Sequence, residues 1–464
     1  MQRRFLCFLL LSACAEGLTV DSSATSSAPT DPTEADDPTL EPAATSADSD
    51  IDDCTDPDDP GAPVVRHDST PITTDTTWSC DAVHELEDAS RLFVRNATLT
   101  IAPGTTVKAG DYSYLVVESS ARLVAEGTPA LPITFEASRP VDGAATWSGL
   151  LLAGNGRTSL GEGAFVEAPL PEPVTFGGDD DTHDCGTLAW LRIRDAGADI
   201  GATSAPAIML AGCGTRTQVH HVQLDSSGDD GLRILGGTFD LHHLVATGVR
   251  RAAVEASVGW RGRLQFAVVL HEPTSDAASQ AKVGCLELRG DLDHPTREPV
   301  TSAQVANLTC IGRDEDPARG NGLDLRYGVR AEIHATLFVG ASASRLRLIG
   351  EETAGSMEAG SVTVERSWFF TPHSMAYELG DSWHPFPWSL DKTRSWLEDP
   401  DRANRFVDPE LVSVSWLNLD ARPTPEGPAA QVGATPGFDP VAYAGAVPPD
   451  EDNWLKAAWI RWPE

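Results

Sequence analysis

The chain has 464 residues, of which 69 are acidic and 34 basic, a formal net charge of −35. A surface that negative repels nucleic acid and anionic polysaccharide, so nucleic-acid binding is excluded. No stretch after the first few residues approaches the ~18 apolar residues of a membrane-spanning helix.

The first segment is a leader. Arg3 and Arg4 precede a short apolar run, Phe5 to Leu11, and Leu11-Ser12-Ala13-Cys14 closes it. Small residues before a cysteine at this distance from the start make a lipobox, so residues 1–13 are expected to be a lipoprotein signal peptide and Cys14 the lipidated first residue. The membrane is then a partner through the lipid anchor. Ala15 after the cysteine, rather than Asp, favours outer-membrane delivery, facing the periplasm or the cell surface. Residues 14–62 follow as a linker. Between Glu16 and Asp59 there are 14 acidic residues and no Lys or Arg, among Ser, Thr, Ala and Pro. Such a segment buries too little apolar surface to order itself, and reads as a disordered, self-repelling tether.

Residues 63–372 carry short alternating apolar runs closed by Gly, Pro, Asn or Asp. Among them are Leu99-Thr100-Ile101, Leu115-Val116-Val117, Leu191-Arg192-Ile193, Leu232-Arg233-Ile234, Leu286-Glu287-Leu288 and Leu323-Asp324-Leu325. Period-two patterning marks strands. Val219-His220-His221-Val222 returns as Leu241-His242-His243-Leu244 after 22 residues. An all-β repeat of that length predicts a solenoid, a parallel β-helix, with an array of β-sandwiches as the alternative.

Cys7 leaves with the leader, and six cysteines remain in the body: Cys54, Cys80, Cys185, Cys213, Cys285 and Cys310. An even set without a CxxC pair in an exported chain points to disulfides, for which sequence alone leaves fifteen pairings open. In a solenoid, residues one coil apart lie ~4.8 Å from each other. That favours neighbour pairing: Cys54 with Cys80, Cys185 with Cys213, and Cys285 with Cys310.

Several strings carry a family resemblance: Leu99-Thr100-Ile101-Ala102-Pro103-Gly104-Thr105, Trp147-Ser148-Gly149-Leu150, Ser227-Gly228-Asp229-Asp230-Gly231, Gly236-Gly237-Thr238-Phe239 and, near the end, Tyr443-Ala444-Gly445-Ala446. In this order, from about residue 90 onward, the chain resembles a family of exported bacterial lipoproteins with a right-handed parallel β-helix. The resemblance implies that fold, its handedness and an envelope location, and no particular activity. Similar proteins carry an aspartate-rich run where this chain has Arg251-Ala252-Ala253, with Glu255 the one acid kept.

Candidate chemistry is sparse. Asp229 and Asp230 invite comparison with the paired carboxylates of glycoside hydrolases. A shift of 22 residues, however, lands on Arg251 and Ala252, so Arg250 and Arg251 are expected beside them as ion-pair partners. Asp179, Asp180, Asp181 and Asp184 form an oxygen-rich loop that suits Ca²⁺ but lacks EF-hand spacing. No other cofactor is indicated. His220, His221, His242 and His243 stack one coil apart, either as a packing ladder or as a transition-metal site, with the outward rings undetermined. No G-x-S-x-G, H-E-x-x-H or P-loop is present.

Residues 373–464 form a Trp/Pro-rich excursion and C-terminal cap packed on the β-helix, holding Trp383, Trp388, Trp396, Trp454, Trp459 and Trp462. The first three are candidate contacts for a glycan or an envelope protein partner, against an alternative role in capping. The sequence therefore predicts an all-β, lipid-anchored envelope protein with a non-catalytic binding, adhesion or structural role. The alternative is a glycoside hydrolase or lyase acting on neutral glycans.

Overall fold

Strands return above one another after 19 residues at the N-terminal end, where Val64 pairs Val83, and after 58 in the middle, where Leu150 pairs Ile208. The computed structural model describes residues 54–462, apart from 142–143, 167, 169, 201–202, 272–282, 313–319, 341–342, 344, 372–374, 416–417 and 451–452. Cys14 and the segments expected to be a leader and a tether, up to residue 53, lie outside the described residues. Two long parallel sheets, of sixteen and ten strands among the described residues, face each other and form a parallel β-helix.

The period-two pattern builds the interior. Ile101, Ala125, Leu188, Val219, Leu241 and Leu264 follow one another up the sixteen-strand sheet, opposite Leu115, Leu150, Ile208, Leu232, Val254 and Leu286 in the ten-strand sheet. All belong to one buried cluster running the length of the coils. Burial of that apolar row is the main stabilising term, on the order of 25 cal/mol for each Å² removed from water.

The longer sheet is bent. Trp190, His221, His243, Phe266 and Asn307 have φ of 43°, 53°, 55°, 59° and 52°, and each is skipped by the strand register on either side of it. A left-handed residue turns the strand, so two successive side chains point outward while Val219 and Val222 both point in. Each such residue costs ~1–2 kcal/mol. The strain recurs in five successive strands of the longer sheet, from Trp190 to Asn307, and belongs to the architecture there. At the corner before this sheet, Gly237 (φ 84°) is required, because a Cβ there would meet the Cys213 carbonyl oxygen at 2.1 Å.

The boundaries differ from those expected. Cys54 is already tied to the first coil by its disulfide with Cys80 and by a Thr55 N–H bond to the Cys80 carbonyl, so the folded part takes in residues assigned to the linker. The last strand of the ten-strand sheet is Tyr377–Leu379, beyond residue 372. Helix Leu390–Leu397, capped by Ser389 Oγ, then closes that end of the interior with Phe386, Trp388 and Leu397. The chain's final segment does not cap an end. It runs back along the outside of the bend, where Asn307 Nδ2 donates to the Tyr443 carbonyl and Gln223 Nε2 to the Arg461 carbonyl.

The disulfides are Cys54–Cys80, Cys185–Cys213 and Cys285–Cys310. The third differs in geometry from a coil-to-coil staple. Cys285 lies on a strand of the shorter sheet and Cys310 on the next strand of the longer one, so this bond crosses between sheets inside the core. Replacing Cys185 and Cys213 together by Ser is expected to lower unfolding stability by about 3 kcal/mol, read as a drop in the urea midpoint.

Candidate functional site

One outward column of the ten-strand sheet changes character half-way. Phe93, Val116, Leu151 and Met209 are followed by Arg233, Glu255, Glu287, Asp324, Arg347 and Glu378, each paired in register with the next. The alternating triplets dictate this, since the residue between two inward leucines must face out. The apolar half is covered. A hairpin of Ala164–Phe165 and Thr175–Phe176 folds over it with Val166, Val174 and Phe176 to make a second apolar cluster. Among the described residues no such hairpin covers the charged half, and cavities form a groove there.

Three acids in a row, Glu255, Glu287 and Asp324, would repel one another across adjacent strands. Arginines from neighbouring positions separate them. Arg289 Nε lies 3.1 Å from Glu255, and Arg326 reaches Glu287 at 3.1 Å and also pairs with Asp324. Arg347 joins Asp324 at 3.2 Å to Glu378 at 3.0 Å. At the other end, Arg233 bonds Asp229 at 2.6 Å and Asp230 through Nε at 2.8 Å, and lies 3.5 Å from Glu255. Arg251 donates to Asp229 at 3.0 Å, the pairing expected from a 22-residue shift. The result is a continuous ladder of alternating charge. Burial by itself would lower the Arg233 pKa, but Asp230, Glu255 and Asp229 around it raise it and hold the guanidinium charged.

The acids nevertheless keep unused capacity. Both oxygens of Glu255, Oε1 of Glu287 and Oδ1 of Asn321 are buried and, among the described residues, accept no hydrogen bond; the glutamate oxygens meet Arg233 and Arg289 only as ion pairs at 3.1–3.5 Å. Burial and the nearby Asp324 carboxylate push the Glu287 pKa up to about 7, against the pull of Arg326 and Arg289. Two cavities open on this floor. One of about 300 Å³ is lined by Leu160, Phe165, Met209, Arg233, Glu255 and Arg289, and one of about 120 Å³ by Glu287, Asn321, Asp324 and Arg326, with Arg251 lining both. Phe165 stands over the first with 63% of its surface exposed.

The sequence-level candidates fare unevenly. Asp229 and Asp230 are fully buried beneath Arg233 and Arg251. The convergent carboxylates that the 22-residue shift does not find are present, because the next coils take 32 and 37 residues from Val254 to Leu286 and on to Leu323. The acidic loop does not assemble as a calcium cage. Asp181 is held by Arg157 and Arg261, Asp184 caps the Gly186 N–H and pairs with Arg122, and Asp180 caps Thr182. Guanidinium groups already supply the positive charge, and among the described residues none of these aspartates joins a three-ligand group. Trp388 is buried and donates to Glu358, and Trp396 packs on the core beneath Arg402. Trp383 alone of the three is open to solvent, at 85%. Both histidines of each doublet face outward, for the bend reason given above.

The strand order, the interior columns and the family model for a pectate-lyase-like β-helix domain agree, the model matching residues 70–378. The chain belongs to that family. No curated protein and no solved structure matches. Within the pectate-lyase-like domain, the groove lies on the flank of the ten-strand sheet and spans the coils from Asp230 to Arg326, while the column of charges runs on to Glu378.

Two measurements check the ladder. Arg233→Ala leaves the buried Asp229 and Asp230 with Arg251 as their one arginine among the described residues and is expected to cost ~3–5 kcal/mol, whereas Arg122→Ala, at an exposed pair, costs under ~1 kcal/mol. Glu287, with its folded pKa raised, contributes stability that is complete below about pH 4.5 and is lost as pH rises through about 7. Denaturation between pH 5 and 8 should therefore lose stability that Glu287→Gln retains, a difference of ~2–3 kcal/mol.

Proposed function

We propose that this protein binds a neutral glycan along the open groove of its β-helix, as a non-catalytic protein of the cell envelope. The observation that carries this reading is the row of buried, hydrogen-bond-free acceptors: the Glu255 carboxylate, Glu287 Oε1 and Asn321 Oδ1. The glutamate oxygens are neutralised by Arg233 and Arg289 but keep lone pairs that no hydrogen bond uses, and a saccharide offers a line of hydroxyl donors for them. Beside the acceptors stands the exposed Phe165 ring, an apolar surface for the C–H face of a sugar. The ladder's acids and arginines offset one another, which suits an uncharged ligand. The covered half of the same column supports the reading too. Apolar side chains under a hairpin stabilise such a sheet at least as well as buried ion pairs do, so the charged half has a use beyond stability.

The three disulfides favour an oxidising compartment, and the lipobox supplies the anchor at Cys14 on the outer membrane. A second reading has one observation in its favour. Glu287, half protonated near pH 7 beside the Asp324 carboxylate, is poised as a general acid would be, which suits a glycoside hydrolase.

Calorimetric titration of the full-length protein with a panel of neutral oligosaccharides is expected to give saturable binding to one class. Phe165→Ala and Asn321→Ala are each expected to weaken it tenfold or more. Binding unaffected by both substitutions, or no binding across the panel, would overturn the proposal. Mass spectrometry of the same mixtures should show intact sugars. Shortened products that vanish with Glu287→Gln would establish the enzymatic reading instead.

A further inference from the structure

The four histidines of the bend form a cluster separate from the groove. His220 stacks on His242 with centroids 5.1 Å apart and planes at 9°, and His221 on His243 at 4.4 Å and 4°. Stacking alone would leave the ring nitrogens free to turn toward solvent. Here they turn toward each other: His220 Nδ1 lies 3.0 Å from His221 Nδ1, and His242 Nδ1 lies 2.8 Å from His243 Nδ1. One nitrogen each of His221, His242 and His243 falls within 4.8 Å of the others. The left-handed residues create this meeting, because without the turn one member of each doublet would point into the core. Only one proton fits between two facing Nδ1 atoms, so each doublet presents at least one lone pair inward.

We infer that this cluster is a binding site for a divalent transition metal, with Cu²⁺ the best fit. Two nitrogens 2.8–3.0 Å apart subtend close to a right angle at an ion about 2.0–2.1 Å from each. Right angles between nitrogen ligands match the tetragonal geometry of Cu²⁺ better than the tetrahedral geometry of Zn²⁺, and Cu²⁺ also binds imidazole more tightly. Burial keeps the rings neutral, as ligands must be, with His243 lowered to about 3 and His220 and His221 to about 4. An entry path exists. A cavity of about 370 Å³ lined by Thr215, Thr217, Asp240, His220 and His242 opens onto one side of the stack. The other side is closed by aromatics of the returning C-terminal segment, Trp459 edge-on to His221 at 5.4 Å and Trp454 edge-on to His243 at 5.2 Å.

The test is titration of the full-length protein with Cu²⁺, followed by tryptophan fluorescence and by electron paramagnetic resonance. The expected result is one tight equivalent per chain, quenched emission from Trp454 and Trp459, and a tetragonal signal split by several imidazole nitrogens. His220→Gln with His242→Gln, the pair facing the open cavity, is expected to weaken binding at least tenfold while leaving the melting curve of the metal-free protein in place. If that pair unfolds the protein, His220→Gln alone should still change the nitrogen splitting. A tight equivalent with no nitrogen splitting, or a Cu²⁺ affinity unchanged in the variants, would overturn the site and leave a packing ladder.

Discussion

Parallel strands stacked in register are the constraint on which everything else in this protein rests. Once Val219 lies over Leu241 and Leu232 under Val254, each residue has a counterpart one strand spacing away, and every side-chain type is repeated into a column. Inward columns merge into one apolar interior. Outward columns inherit whatever chemistry the repeats carry, and neighbours in a column interact whether or not the interaction is favourable. Histidine over histidine stacks; glutamate over glutamate needs an arginine between.

The same constraint produces two different outer faces. On the bend of the longer sheet, left-handed residues expose consecutive side chains, and the C-terminal segment lies along them, joined by Gln223, Gln265 and Asn307. That face is covered beside His221 and His243 and open beside His220 and His242. On the shorter sheet, the insertion between Ala153 and Gly186 sends a hairpin over the apolar part of one column and stops where Arg233 begins. The edge of the hairpin, with Phe165 exposed, is thereby the wall of the groove. Position along the solenoid decides which side chains are packed away and which stay available to a ligand.

Much of the fold was legible in the sequence. Alternation marks the strands, the histidine echo marks a coil length, and neighbour spacing matches the three cysteine pairs, although Cys285–Cys310 joins the two sheets rather than stacked coils. The ladder's signal also lies in the sequence, in the strand triplets. Leu232-Arg233-Ile234, Leu286-Glu287-Leu288 and Leu323-Asp324-Leu325 each put a charge between two inward residues, and aligning the triplets stacks Arg233, Glu287 and Asp324 in one column. A fixed step of 22 residues misses this, because insertions at the corners lengthen the coils without altering the strands. Loops change length at little energetic cost, so the register of a solenoid is carried by its strand triplets rather than by a constant period. The hairpin wall was invisible for a different reason. Phe165 gains its role from packing across sequence-distant strands, with no local pattern to announce it. The aspartates at 179–181 read the same in sequence whether a metal ion or arginines from other coils neutralise them, and Arg157 and Arg261 meet Asp181 only in the folded chain.

The central claim is that the acceptors on the groove floor await hydroxyl donors. A crystal structure of the protein soaked with a neutral oligosaccharide tests it most directly. The account predicts a sugar in the groove, with hydroxyls donating to Glu255, Glu287 Oε1 and Asn321 Oδ1 and one ring face against Phe165. A groove left empty at saturating sugar, or a sugar bound elsewhere with those three residues unchanged, would contradict it.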